Sequence, residues 1–317
     1  MPRETTTDNG ENMNLWQEIL VGLGLKKTLT PHPDRARIDG VVLFSDEYKD
    51  PAKIANIRRI FEKRANGKVM LRIPLSIPEL FASFKTTATI AHNSGMDVVA
   101  LLDDHPGDSA SVMKRLSLIR GGTPFVRHIE LFNELPHMNQ NYNGTPIACC
   151  DDLIRLTNQH ADWIHQNIPG CAVVSMAPYN NLDPEKMNWD VSNWDVLKRL
   201  ALETRVDITA IHCYGDETRH KVKLAELAKA LDEWHGQYER EHKLRKRIWV
   251  TECGSGNRKK DEGYYNNWTS VFAEYLKAEK IFWYRMTIEK PDQNEANFAM
   301  EIRATGETSP LLKTLQA

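Results

Sequence analysis

Cysteine is scarce in this chain, and its number does not suit a disulfide framework. The 317 residues include only Cys149, Cys150, Cys171, Cys213 and Cys253. An odd count with one adjacent pair and no Cys-x-x-Cys spacing argues against both a stapled secreted scaffold and structural zinc. Reduced, mostly buried thiols are the expectation. Long hydrophobic runs are missing too, and with them any segment of membrane-spanning length. An excess of charge of one sign is also lacking: 41 Lys+Arg against 43 Asp+Glu leave a net charge of −2. Such a balance gives no general drive toward phosphate backbones or anionic lipid, so neither nucleic acid nor membrane is an expected partner. The polar start, "MPRETTTDNGENMNLW", has no apolar core of a signal peptide. A cytoplasmic location is expected on the sequence as it stands, and secretion if a leader was removed.

What the chain does have is a series of short apolar runs. These are "IDGVVLF" (38–44), "KVMLRIP" (68–74), "MDVVALL" (96–102), "HIELFNE" (128–134), "CAVVSMA" (171–177), "DITAIHCY" (207–214), "RIWVTE" (247–252) and "KIFWYRM" (280–286). Each is rich in Val, Ile or aromatics and short enough for a buried strand. Helical signals lie between them. Asp50 and Pro51 stand at cap and first-turn positions of a segment closing near Gly67. Leu153, Leu156, Ala161, Ile164 and Ile168 recur at helical spacing before Pro169-Gly170. A third, long helix spans "KVKLAELAKALDEWHGQYEREHKLRKR", and its basic end suits a helix C-terminus and a solvated face.

Eight strand–helix units spaced roughly 30–40 residues apart match a single (β/α)₈ barrel over residues 38–317, with residues 1–37 as a tail and capping segment. A doubly wound sheet is the competing architecture, but it would normally show a Gly-rich phosphate turn after an early strand, and none is visible.

In such a barrel, reactive groups gather where the strands end. Here those ends carry Arg72, the run Asp103-Asp104-His105, Asn133-Glu134, His212 with Tyr214, Glu252, and Trp283 with Tyr284 and Arg285. With a strict period of two, Glu130, Phe132 and Glu134 share one face, Val250 and Glu252 point together, and Cys213 and Cys253 turn away. Glu134 and Glu252 are then placed to face each other across the mouth. Glu130 reads as an internal ion-pair partner of an inward Arg.

"IELFNELP" at the fourth strand and "IWVTECG" at the seventh resemble the Glu-x-x-Asn-Glu and Thr-Glu-x-Gly patterns of glycoside hydrolase clan A, the retaining β-glycosidase barrels. "LRIP", "LLDDHPG", "IHCY" and "FWY" are similar to motifs of its family-five-like members, in the same order. The resemblance implies Glu134 as acid/base and Glu252 as nucleophile. It implies Asn133 on the sugar 2-hydroxyl, Arg72 and Tyr214 hydrogen-bonded to Glu252, and His105 and His212 lining the cleft. Trp283 would stack on the sugar. The substrate would be an oligo- or polysaccharide, and neither cofactor nor metal is implied. Leu135 before Pro136 departs from the clan's pattern and affects the shape of the fourth loop. Two rival functions stay open: a metal-dependent barrel hydrolase built on His105, His212 and a carboxylate, and a non-catalytic carbohydrate-binding barrel.

Overall fold

The computed structural model describes residues 37–45, 50–103, 109–135, 149–179, 191–214, 218–254, 269, 272–273, 275–288, 300–302, 305 and 307–316. Eight strands follow one another: β1 (Gly40–Val42), β2 (Met70–Pro74), β3 (Asp97–Leu102), β4 (His128–Leu131), β5 (Ala172–Val174), β6 (Ile208–Tyr214), β7 (Arg247–Gly254) and β8 (Lys280–Trp283). Each pairs with the next in parallel, and β8 pairs back onto β1, closing the barrel. The (β/α)₈ architecture expected from the sequence is the one observed. The proposed tail and capping segment falls almost wholly outside the described residues.

The helices form where their ends and faces demand it. In α1 (Pro51–Phe61), the Asp50 side chain accepts from the Ala52 amide and Pro51 occupies the first turn, while Ile54, Ile57, Ile60 and Phe61 are buried. This helix ends six residues before Gly67, and just past its end the Arg64 amide makes a tighter three-residue turn onto the Phe61 carbonyl. Next come α2 (Phe81–Asn93), α3 (Ser109–Gly122) and α4 (Cys150–Asn167). The last buries Leu153, Leu156, Ala161 and Ile164 on one stripe, as their spacing requires. In α5 (Asn193–Glu203), Ser192 and Asp195 form a reciprocal capping box. The long α6 (Thr218–His242) stops where Lys243 adopts φ 60°, so the basic run to Arg247 lies beyond the helix rather than in its last turn. None of these helices is long and apolar enough to cross a membrane.

Two apolar layers result. The larger joins outward strand residues such as Leu71, Ile73, Ile129, Leu131, Val250 and Ile281 to the helices. The smaller consists of strand residues that fill the barrel: Met70, Val99, Val174, Ile208, Ala210, Trp249 and Phe282 among them. A feature with no sequence signal follows β8. It is a small sheet of β9 (Thr287–Ile288), β10 (Glu301–Ile302) and β11 (Glu307–Thr308), followed by α7 (Pro310–Gln316). Two-residue strands are too short to show a period.

The barrel filling explains why β1 carries a glycine. A Cβ on Gly40 would stand 2.6 Å from the Met70 carbonyl oxygen and 2.7 Å from ring carbons of Phe282. Gly40→Ala is expected to cost about 1–3 kcal/mol through overpacking. Urea unfolding should show a lower midpoint at an unchanged slope.

Candidate active site

Above the apolar filling, the barrel turns polar, and the change is organised by Arg72. Two residues after Met70 on the inward face of β2, it is completely buried. Its Nε and Nη2 donate to the two oxygens of Glu130 at 2.6 and 3.0 Å, a bidentate pair inside the barrel. Nη1 donates to Glu252 Oε1 at 2.5 Å, and Nη2 also reaches Asn133 Oδ1 at 2.9 Å. Because arginine only donates, this last bond fixes the Asn133 amide with its oxygen toward Arg72 and its NH₂ turned elsewhere. Glu130 is the partner of an inward Arg, as expected.

Glu252 is held on both sides. The Tyr214 hydroxyl donates to its Oε2, opposite the Arg72 contact. Burial pushes the carboxyl pKa up, but the charges of His212 and Arg72 and the hydrogen bonds from Tyr214 and Arg72 outweigh it, and the pKa lies below the ordinary value. Burial and the carboxylate charges push the Tyr214 phenol well up, so it stays a donor. His212 stands between the two glutamates. Its Nδ1 is 2.6 Å from Glu134 Oε1 and its Nε2 is 3.7 Å from Glu252 Oε1. Burial disfavours the imidazolium, yet Glu252 and Glu134 more than offset that and raise its pKa.

The two glutamates reach this cluster by breaking strand regularity, which corrects the simple alternation. On β7, Trp249 fills the barrel while Val250 belongs to the helix-facing layer. Ile211 of β6 pairs with Val250, but His212 pairs with Glu252, so Thr251 is an extra residue, a bulge. Val250 and Glu252 therefore do not share a face. The inserted residue reverses the parity and turns Glu252 inward. On β4, the regular strand ends at Leu131, and Leu131 and Phe132 both pack in the helix-facing layer. Phe132 adopts φ 70° and Glu134 φ 45°, so Phe132 does not share a face with Glu130 and Glu134. The left-handed turn carries Asn133 and Glu134 back over the barrel. The Glu134 amide is anchored on the Ala177 carbonyl at 3.2 Å, and the Leu135 amide meets Met176 Sδ at 3.2 Å.

The structure thus brings Arg72, Asn133, Glu134, His212, Tyr214 and Glu252 together. His105 lies outside the described residues. Trp283 is placed differently from the expectation. It pairs with Val41 and Cys253, packs in the helix-facing layer and is 3% exposed. Strand parity is the reason. Phe282 points inward, so the next inward ring is Tyr284, which is half-buried and stands edge-on to Tyr214 at 6.3 Å between centroids. Sequence reasoning missed Tyr284 as the eighth-strand ring of the site; counting by two from Phe282 could have found it.

Comparison with known proteins gives one family and many structures. The family described as glycosyl hydrolase catalytic core matches residues 87–314. No curated protein sequence matches the chain. Among solved structures, the endo-1,4-β-mannanase of Rhizomucor miehei is similar with a TM-score of 0.59 and 9% identity, over 90% of this chain and 97% of that one. The endo-1,4-β-D-mannanase of Thermotoga petrophila gives 0.55 and 14%, over 89% and 98%. A family 17 β-1,3-glucanosyltransferase of Rhizomucor miehei gives 0.54 and 14%, over 86% and 96%. At these identities the likeness is one of fold.

The Arg72 hub makes a prediction for stability. Arg72→Met removes the cation from two buried carboxylates, Glu130 and Glu252, and is expected to cost about 3–5 kcal/mol at pH 7.5. Losing the cation removes a charge that holds the Glu252 pKa down, so at pH 5 protonation of Glu252 relieves part of the penalty. Urea unfolding of parent and variant at both pH values should show the gap narrowing as pH falls.

Proposed function

Because the chain belongs to the glycosyl hydrolase catalytic core family, we propose that it cleaves a β-linked glycan by double displacement, with Glu252 as nucleophile and Glu134 as acid/base. The observation that carries this reading is the approach of the two carboxyl groups. An oxygen of each, together with a ring nitrogen of His212, lies within 4.8 Å of the others. Retention calls for carboxyl groups about 5–5.5 Å apart, whereas inversion needs about 6.5–9.5 Å to admit a water.

In the first step a Glu252 oxygen bonds to the anomeric carbon while the glycosidic C–O bond breaks and the Glu134 proton passes to the departing oxygen. In the second, Glu134 takes a proton from water as that water attacks the anomeric carbon and the bond to Glu252 breaks. The surroundings suit this division of labour. His212, Arg72 and Tyr214 keep Glu252 ionised, as a nucleophile must be, and Glu134 faces His212. Asn133, its oxygen tied to Arg72, offers its NH₂ to the sugar 2-hydroxyl. Mannanase and β-1,3-glucanosyltransferase appear among the structures of the same fold. β-Mannans and β-glucans are therefore the first substrates to assay, with product analysis separating hydrolysis from transfer.

A metal-dependent reading has one observation behind it, the same trio of Glu134, His212 and Glu252, each able to offer a ligand atom. The donors are already engaged. Arg72, a permanent cation, sits 2.5 Å from one Glu252 oxygen, Tyr214 donates to the other, and Nδ1 of His212 meets Glu134. A divalent ion would have to displace these contacts beside a guanidinium charge.

Activity is accordingly expected to survive EDTA; loss of activity on chelation, restored by zinc, would transfer the assignment to the metal reading. The glutamate roles separate by azide rescue on an aryl β-glycoside chosen from the panel. Glu252→Ala should lose glycosyl-enzyme formation and regain turnover with azide, giving inverted product. Glu134→Ala should accumulate the intermediate on a good leaving group and give retained azide product. NMR of the product configuration decides, and the opposite pair of outcomes means the roles are reversed.

A further inference from the structure

Behind the fourth loop sits a buried polar ring that no step above uses. His160 on α4 has no exposed surface, and neither of its ring nitrogens has a hydrogen-bond partner among the described residues. Burying an imidazole in this way is unfavourable. Burial first, and the charge of Arg115 second, lower its pKa to about 4, so the ring is neutral at ordinary pH.

What His160 meets is the ring of Phe132, edge-on, with centroids 6.0 Å apart and planes at 68°. Phe132 holds φ 70°, a left-handed conformation that a bulky aromatic rarely adopts. Such a residue persists where its surroundings over-determine it. Here the ring is fully buried in the helix-facing layer, and the amide is tied to the Leu102 carbonyl at 3.0 Å. Two residues on, the Glu134 amide is tied to Ala177. Between these anchors the Phe132 turn directs Asn133 and Glu134 over the barrel mouth. A ring released from its slot would let φ relax toward the extended region and swing the Glu134 carboxyl away.

We infer that His160 is a positioning residue: its ring closes the slot that keeps Phe132 left-handed, and so sets the reach of Glu134. This rests on the reading of Glu134 as the acid/base. The test uses leaving-group dependence, which a merely structural role does not move. The probes are the 2,4-dinitrophenyl and methyl glycosides of the disaccharide that the polysaccharide panel identifies. A misplaced acid slows departure of methanol but scarcely that of dinitrophenolate, which needs no proton.

His160→Ala should lower kcat/KM for the methyl glycoside about 100-fold and for the dinitrophenyl glycoside less than about three-fold. Phe132→Leu, which keeps an apolar side chain but removes the ring, should show the same selectivity and serves if His160→Ala does not fold. Equal losses on both substrates, or no loss on either, overturn the inference. Glu134→Ala is the control. If it shows the selective pattern and the other variants do not, only the role of His160 fails; if it does not, the acid/base reading fails first.

Discussion

Arg72 stands on the inner face of β2 with its guanidinium divided among Glu130, Glu252 and Asn133. A charge that cannot be discharged, in a place without solvent, is stable only if acceptors surround it. The residues that meet this demand come from β4, the loop after it, and β7, so satisfying one cation fixes three separate parts of the chain relative to one another. The orientation of the Asn133 amide and the ionisation of Glu252 follow from the same requirement.

The electrostatic division between the glutamates follows as well. Both sit near His212, but the fixed cation and the phenol donor address Glu252. Two carboxyl groups of one residue type are thereby given different environments within a few ångströms, which acid/base and nucleophilic work in one cleft requires. His212, its pKa raised by both, links the pair.

Delivering these groups takes departures from regular structure. An unbroken β7 would turn Glu252 into the helix layer, and the extra residue Thr251 prevents this. A β4 continued in regular extension would not bring Phe132 under the helices and Glu134 over the mouth; the left-handed backbone at both residues does so. The regular barrel supplies rigidity, and its two local irregularities supply aim.

The barrel is legible in the amino-acid order alone. Eight short apolar runs separated by helical patterns have few other ways to bury their faces, and Asp50-Pro51 and the stripe from Leu153 to Ile164 mark helices by local chemistry alone. The same order also marked Arg72, Asn133, Glu134, His212, Tyr214 and Glu252, because polar groups at the ends of apolar strands are conspicuous, and the pairing of Glu130 with an inward Arg was legible from its position inside a strand. Facing and contact, by contrast, depend on how the strands and helices pack. Nothing in "WVTEC" shows that Thr251 is inserted, nor in "ELFNE" that a phenylalanine is left-handed, because both are imposed by neighbouring strands and helices rather than by local preference. A single-residue change of register moves a side chain to the opposite face. That is why Trp283 was expected in the cleft and Tyr284 is found there, and why the contact of His160 with Phe132, 28 positions apart in the chain, could be seen only once the barrel had closed.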